Sequence, residues 1–149
     1  MPRLFFAAPF TQMLDEVTNL IAPDYREWLS DILRFLENLG FNVISSHRRE
    51  RWGEGLLTPA AALDADIHAI EECDLLVAYL GDPPSPGVQL ELGVALACRK
   101  RLILLTESGL NLPYLLNGIP DVGRGQIIRF RDTEDLLRLL KEALEGNPA

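Results

Sequence analysis

The chain has 149 residues, of which 48% are hydrophobic and 24% charged, and its formal net charge at pH 7 is −8. This size suits one folded domain over residues 1–149, and the acidic balance argues against a nucleic-acid partner, which would need clustered positive charge. No apolar run is long enough to cross a bilayer, so we expect no membrane association. The short apolar segment 1–10 is typical of a first core strand rather than of a signal peptide, which favours a cytoplasmic location.

Strand and helix patterns alternate along the whole chain. Continuous apolar runs predict strands at 4–8, 41–44, 74–80, 101–105 and 126–130. Helical periodicity predicts helices at 24–39, 59–72, around 110–116 and 133–144, a further helix that contains Glu91 and ends near residue 98, and a long loop at 45–57. Because alternating strands and helices connect by right-handed crossovers, we expect an α/β fold with a doubly wound parallel sheet of order 2-1-3-4-5.

The residues that most often bind metals are few in this chain. Cys73, Cys98, His47 and His68 do not have the spacing of metal ligands. We therefore expect no metal site, and we expect both thiols to pack in the core.

Glu91 follows a Gly/Pro-rich loop, 81–87, that leads from a buried strand into a helix. In parallel α/β sheets this is the edge where ligands usually bind. Glu91 shares a helix face with small and apolar residues such as Gly87 and Ala95 rather than with a basic partner. Burial raises a carboxyl pKa, but a position in the first helical turn would favour the ionised form. The sequence predicts a partly buried, ionised nucleophile; the alternative is a solvent-facing glutamate that stabilises its own helix.

Asp66 is the second candidate acid. It lies one helical turn from Ile70, which is predicted to face the sheet, so its carboxylate is expected on the flank near the cleft. Two carboxylates from different elements at one cleft are the minimum for cleaving a glycosidic bond.

These acids belong to a longer pattern: Asp66, then Asp74, an apolar strand, and Ser85-x-Gly87-x-x-x-Glu91-Leu92-Gly93. The pattern resembles the nucleoside 2-deoxyribosyltransferase superfamily, including its nucleoside 5′-monophosphate N-glycosidase branch. The opening strand with Pro9, the entry to the second strand and the segment 117–121 extend the resemblance over most of the chain.

The resemblance implies a flavodoxin-like sheet and a specific chemistry. By analogy, Glu91 attacks C1′ of the sugar to form a covalent glycosyl-enzyme, and Asp66 assists departure of the base by proton donation or positioning. It also implies a homo-oligomer, a dimer or larger, whose site is completed by Tyr114, Leu115 and Asn117 of a neighbouring subunit.

Three departures from the family pattern guide the prediction. Ser85 stands where the transferases usually have an aspartate, as in the monophosphate glycosidases, where this serine contacts the 5′-phosphate, and this favours hydrolysis. Phe5 replaces a common tyrosine. The loop 8–12 lacks the arginine of the glycosidases' phosphate loop, so Thr11, Ser85 or the arginines of 48–51 would have to bind a phosphate; solvated arginines are the alternative. Trp52 is expected to stack on a nucleobase, to act as a lid, or to fill a subunit interface.

The predicted site therefore has two catalytic residues and a larger set of substrate-binding residues. The catalytic residues are Glu91 and Asp66. The substrate-binding residues are Phe5, Ala7, Pro9, Phe10, Thr11, His47, Arg48, Arg51, Trp52, Ser85, Gly87 and Asn117.

The sequence predicts an enzyme that cleaves the N-glycosidic bond of (deoxy)nucleoside 5′-monophosphates or nucleosides and releases free base. The alternatives are a nucleoside 2-deoxyribosyltransferase that exchanges bases, an enzyme that cleaves the nicotinamide–ribose bond of NAD, and a non-catalytic nucleotide-binding module. We expect no cofactor, because a carboxylate pair and a stacked base suffice for this chemistry.

Overall fold

A computed structural model describes residues 1–146, in which strands and helices alternate as predicted. The strands are β1 (Arg3–Ala7), β2 (Asn42–Ser45), β3 (Leu75–Tyr79), β4 (Arg101–Glu107) and β5 (Arg124–Phe130). The helices are α1 (Pro23–Asn38), α2 (Ser46–Arg49), α3 (Pro59–Glu72), α4 (Pro86–Ala97), α5 (Ile119–Val122) and α6 (Thr133–Glu145). Short 3₁₀ turns occupy Thr11–Met13, Arg51–Gly53 and Tyr114–Gly118.

All neighbouring strands pair in parallel, in the order β2-β1-β3-β4-β5, which confirms the predicted sheet. In this order the chain first runs outward from β1 to β2 and then crosses back to β3 on the other side of β1. The connections that follow β1 and β3 therefore lead to opposite faces of the sheet. Doubly wound sheets bind ligands in the crevice that this leaves at the carboxyl ends of the two strands.

Alternation along β1 divides the core into two layers. Leu4 and Phe6 face one layer with Leu29 of α1 and Leu136 of α6, and Phe5 faces the other layer, with α3 and α4. All five side chains are fully buried, and burying a side chain of this size stabilises the fold by roughly 1.5–3 kcal/mol. From Leu4 to Ala7 the strand is apolar at every position because both faces are covered.

The prediction of a long loop at 45–57 is wrong for most of that segment. The chain forms the single turn of α2 and then a 3₁₀ turn at Arg51–Gly53. The backbone N–H of Ile21 donates to the carbonyl oxygen of Trp52 at 2.9 Å, and a Cβ on Gly53 would lie 2.8 Å from the carbonyl oxygen of Asn19. Close packing against a distant segment fixes this structure, and a four-residue helix is too short to show periodicity.

Two smaller expectations also change. The helical piece expected around 110–116 lies further along the chain, as the 3₁₀ turn Tyr114–Gly118 and the helix α5. Cys73 is buried as expected, but Cys98 is exposed because it caps the carboxyl end of α4. No helix within residues 1–146 combines the length and the apolar character needed to span a bilayer.

Candidate active site

A cavity of about 330 Å³ opens at the carboxyl ends of β1 and β3, between α3, α4 and the turn after β1. This volume is at the lower end of the range for small-molecule sites, roughly 300–1,000 Å³. Its polar lining consists of three acids and three hydroxyl groups on an otherwise apolar wall. The lining residues are Ala8, Phe10, Thr11, Leu14, Ser46, Glu50, Leu56, Leu57, Pro59, Ala62, Asp66, Ser85, Gly87, Val88 and Glu91.

The start of α4 decides where Glu91 stands. Ser85 is the N-cap, with its Oγ accepting from the Val88 backbone N–H at 3.3 Å, and Pro86 is the first helical residue. Glu91 is therefore the sixth residue of the helix. The expectation that it lies in the first turn is wrong, and the free N–H groups that favour an anion are one turn away.

Glu91 consequently resists ionisation. Burial and, second to it, the neighbouring charge of Asp66 raise its pKa to about 8, and the charge of Arg49 opposes both effects. Its Oε2 atom is buried and has no hydrogen-bond partner within residues 1–146. A buried carboxyl group with a strongly raised pKa and an unused oxygen, placed in a cleft, is a candidate functional group.

Asp66 is held by a cation that the sequence did not assign to it. Nη1 of Arg49 donates to Oδ1 of Asp66 at 2.9 Å, and Nη2 of the same guanidinium donates to Oε2 of Glu50 at 3.0 Å. Burial raises the pKa of Asp66, while the hydrogen bond and charge of Arg49 act in the opposite direction. Arg49 therefore binds two acids of the cavity.

Glu50 is the main functional candidate that sequence reasoning missed. It is 5% exposed, and its Oε1 accepts from the backbone N–H of Leu57 at 3.1 Å. The mixed charges around it, in Arg48-Arg49-Glu50-Arg51, are typical of a solvated loop. Two nearby apolar residues, Trp52 and Leu56, could have indicated that this segment packs against the rest of the protein rather than being solvated.

Six of the predicted site residues line this one cavity, and they come from three parts of the chain. These residues are Phe10, Thr11, Asp66, Ser85, Gly87 and Glu91. The topology brings together the turn after β1, the helix α3 and the start of α4, as expected for the carboxyl edge of the sheet.

The remaining predicted residues near β1 lie behind the cavity wall. Phe5 and Ala7 are fully buried in the core layer beneath α3 and α4. Pro9 lines a separate cavity on the α1 and α6 side of the sheet. Its carbonyl oxygen accepts from Oη of Tyr25 at 2.8 Å and lies 2.9 Å from Nε2 of His47.

His47 and Trp52 also pack behind the wall. His47 is fully buried, with its ring stacked on Phe10 at 4.7 Å between centroids and 5.9 Å from Trp52. Burial lowers the pKa of His47 to about 4, so the ring is neutral near pH 7 and its Nε2–H donates to Pro9. The Trp52 ring also lies 5.2 Å from the guanidinium carbon of Arg26. These residues support the wall that carries Phe10.

The other predicted contacts are outside the cavity. Arg48 makes two hydrogen bonds to Glu37 of α1, at 2.9 and 3.0 Å, and Arg51 is exposed. Asn117 lines a different cavity and donates its amide to the carbonyl oxygen of Tyr114 at 3.1 Å. No lysine or arginine is among the residues that line the candidate site within 1–146.

Within residues 1–146 we find no cluster of three His, Cys, Asp or Glu side chains that could hold a metal ion. The absence of a cofactor and the cytoplasmic location stay predictions.

The spacing of the acids and the five-stranded sheet agree with a known family. The family model for nucleoside 2-deoxyribosyltransferase matches residues 18–137. The chain belongs to this family. The sequence pattern built on Asp66, Ser85 and Glu91 thus identified the family correctly.

Two similar proteins align with most of the chain. A protein of Syntrophotalea carbinolica, provisionally named 2′-deoxynucleoside 5′-phosphate N-hydrolase 1, is 35% identical over 125 residues, which are 80% of this chain and 84% of that protein. The CMP N-glycosidase BcmB of Clostridium botulinum is 28% identical, with a TM-score of 0.71 over 93% of this chain and 98% of its own.

A more distant neighbour shows the fold alone. The 2-deoxyribosyltransferase of Leishmania mexicana is 17% identical, with a TM-score of 0.55 over 78% of this chain and 71% of its own. The flavodoxin-like fold is thereby confirmed. The prediction of an enzyme, an N-glycosidase or N-deoxyribosyltransferase, is confirmed by the same comparisons. A nucleoside or nucleotide substrate fits this family.

Proposed function

We propose that this enzyme hydrolyses the N-glycosidic bond of a (deoxy)nucleoside 5′-monophosphate or nucleoside through a covalent glycosyl-Glu91 intermediate. The observation that carries the proposal is the placement of Glu91 and Asp66, from separate helices, on one small and largely apolar cavity. One carboxyl oxygen of Glu91 is buried and unused, as a nucleophile waiting for an electrophilic carbon would be.

The chemistry proceeds in two balanced steps. The Glu91 carboxylate bonds to C1′, the C1′–N bond breaks, and its electron pair leaves with the base, which takes up a proton. Water then attacks C1′, gives its proton to a base in the site, and releases the sugar and the Glu91 carboxylate. Two inversions at C1′ give net retention of configuration.

Ionisation of Glu91 is the requirement for the first step. Because the pKa of Glu91 is about 8, about a tenth of the resting enzyme carries this carboxylate at pH 7. Asp66 borders the same cavity, and in this scheme it orients the departing base while Glu91 loses its proton to solvent. The departing base takes up its proton from solvent water.

The sugar end of the substrate is proposed to lie at the start of α4. Ser85 is buried there, and Gly87 keeps the wall free of a side chain. The positive end of the helix dipole favours an anion at this position. Since the lining contains acids and no cation within 1–146, the helix terminus and the Thr11 and Ser85 hydroxyls carry recognition of the phosphate.

The deciding experiment is chromatography of free base after incubation with ribo- and deoxyribonucleosides, their 5′-monophosphates and NAD. Base release by the wild type is expected to fall at least 1,000-fold in Glu91→Gln, on the order of the loss of a nucleophile. Glu142→Gln changes an exposed glutamate of α6 and should leave release intact. Full activity in Glu91→Gln would refute the proposed intermediate, and release of nicotinamide from NAD alone would identify a different substrate.

The variant Ser85→Asp tests whether Ser85 contacts the 5′-phosphate rather than the sugar. Aspartate keeps a side-chain oxygen that can cap α4, but its charge repels a 5′-phosphate. Cleavage of monophosphates should drop by tenfold or more while cleavage of nucleosides changes little. An equal loss of activity toward both substrates would show that Ser85 does not bind the 5′-phosphate.

Base exchange is the second candidate function, and the family model itself favours it. The same glycosyl-Glu91 intermediate serves both reactions, with a second base in place of water. Addition of a second base distinguishes them, because a transferase forms a new nucleoside whereas a hydrolase forms free sugar.

The partner proposed to complete the site is a second copy of the chain. Tyr114, Leu115 and Val122 are 83–89% exposed, and Leu90 of α4 is 53% exposed. Large apolar side chains exposed in this number indicate an interaction surface. Light scattering should show a dimer or larger oligomer, and Leu115→Asp should dissociate it. A monomeric wild type with full activity would contradict this assembly.

A further inference from the structure

Arg49 is joined to two acids of the cavity at once. Its guanidinium donates to Asp66 at 2.9 Å and to Glu50 at 3.0 Å. Its side chain is 25% exposed, and those of Asp66 and Glu50 are 20% and 7% exposed. Within residues 1–146, Arg49 is the one basic side chain that contacts an acid of this cavity.

The position of the Arg49 guanidinium is fixed by Glu50, which is itself hydrogen-bonded to the backbone. The second carboxylate oxygen of Glu50 accepts from the Leu57 backbone N–H at 3.1 Å, so Glu50 is itself anchored to the segment before α3. A planar guanidinium with separate nitrogens on two anchored carboxylates has little freedom. Arg49 therefore holds Asp66 in one orientation at the cavity wall.

The arrangement distributes charge unequally around the cavity. Arg49, from α2, faces Glu50 and Asp66 directly, and Glu91, from α4, makes no ion pair. The turn after β1 contributes no ionisable side chain to the lining within 1–146. The cavity thus has three acids near one cation. Arg49 contacts Glu50 and Asp66, and the third acid, Glu91, is the proposed nucleophile.

We propose that Arg49 is a positioning residue that orients Asp66 and sets the protonation of the Asp66–Glu91 pair, and that Glu50 limits its effect by taking half of its hydrogen bonds. This inference rests on the proposed function. Arg49 favours the ionised form of both acids, whereas the negative charge of Glu50 favours the protonated form of Asp66. The two residues adjust in opposite directions the pH at which the nucleophile becomes available.

The test is the pH profile of kcat/KM for base release, with opposite shifts expected for two variants. Arg49→Gln should move the acidic limb upward by about one pH unit, as loss of a nearby opposite charge does. Glu50→Gln should move it downward, because the charge of Arg49 is then no longer offset by the Glu50 carboxylate and acts more fully on Glu91. Arg48→Gln, a change of the adjacent arginine that binds Glu37 outside the cavity, should leave the limb in place.

A merely structural role would give a different pattern. Loss of packing would lower kcat/KM by the same factor at every pH and leave the limb unmoved, and that outcome would overturn the inference. Arg49→Lys keeps the charge but cannot hold both carboxylates in the same way. It should keep the limb near its wild-type pH while kcat falls about tenfold. If Arg49→Gln does not fold, Glu50→Gln and Arg49→Lys still decide the question.

A readout without turnover separates this inference from the proposed function. The stability gain on Glu91→Gln, measured by thermal unfolding across pH, reports the protonation of Glu91 directly. The gain begins near the unfolded-chain pKa of 4.5 and levels off near the folded pKa, so in an Arg49→Gln background the pH at which it levels off should move higher. Absence of base release by the wild type would refute the proposed function, whereas a levelling-off pH that Arg49→Gln leaves unmoved would refute the role of Arg49.

Discussion

Two carboxyl groups on opposite faces of the sheet show how differently the fold treats the same chemistry. Asp135, in the first turn of α6, accepts from the Arg131 backbone N–H at 3.0 Å and from Nη2 of Arg138 at 2.6 Å. These hydrogen bonds lower its pKa to about 2. Glu91, in the second turn of α4, has an unpartnered oxygen and a pKa raised to about 8.

The opposite pKa shifts of Asp135 and Glu91 distinguish a carboxylate that stabilises the fold from one that is a candidate for catalysis. At the start of α6, the Arg131 backbone N–H and two arginine side chains favour the anion, so Asp135 stabilises the first turn of a helix whose N-cap is Asp132. At the cavity, burial and a second acid oppose the anion, and the fold keeps the group in spite of that cost. An unfavourable charge that the fold retains is typical of a catalytic group.

The comparison predicts first that activity depends strongly on pH. Because the Glu91 carboxylate must be ionised and its pKa is about 8, kcat/KM should rise about tenfold per pH unit from pH 6 and level off above pH 8. Initial rates of base release in a constant-ionic-strength buffer series measure this. A flat profile from pH 6 to 8 would mean that Glu91 ionises at a lower pH.

The second prediction concerns stability rather than rate. The folded protein retains a proton on Glu91 that the unfolded chain releases above its usual pKa of 4.5, so wild-type stability falls as pH rises from 4.5 to about 8. Glu91→Gln should therefore stabilise the protein by about 1.4 kcal/mol per pH unit across this window. The gain should vanish below pH 4.5. Chemical denaturation at pH 5 and pH 9 compares the two proteins.

The third prediction is the opposite effect at Asp135. Its pKa is lowered, so its contribution is fully present above the usual value of 3.8 and disappears as pH falls toward 2. Asp135→Asn should lower Tm at pH 7, converge with the wild type near pH 2, and leave base release within twofold. A Tm that rises at pH 7 would contradict this account of α6.

The smallest effect is expected where a charge pair lies on the surface. Arg48 forms an ion pair with Glu37, and the two side chains are 34% and 42% exposed. Ion pairs at such exposed positions contribute about 0.2–1 kcal/mol to the free energy of unfolding. Arg48→Ala should lower the free energy of unfolding by no more than that, measured by urea denaturation at low salt. A loss of several kcal/mol would show that Arg48 supports α2 in another way.

Much of the fold was predictable because each element carries its own signal. The apolar run at β3 indicates a strand covered on both faces, and the spacing of Tyr25, Leu29 and Leu36 indicates α1. Segment 45–57 carries no such signal. Its structure depends on contacts with the Asn19–Ile21 region, which local periodicity cannot reveal.

The order of the sheet, the family and the two acids at the carboxyl edge could be predicted before folding is considered, because hydrophobic periodicity and the spacing of Asp66, Ser85 and Glu91 are local properties. The partners of those acids could not, because they come from segments that meet only in the folded chain. Hydrogen bonds of a guanidinium depend on three-dimensional packing, so adjacent arginines diverge, Arg48 toward Glu37 and Arg49 toward Asp66. The protonation of Glu91 depends on the same packing, since burial and neighbouring charge arise only when the chain folds.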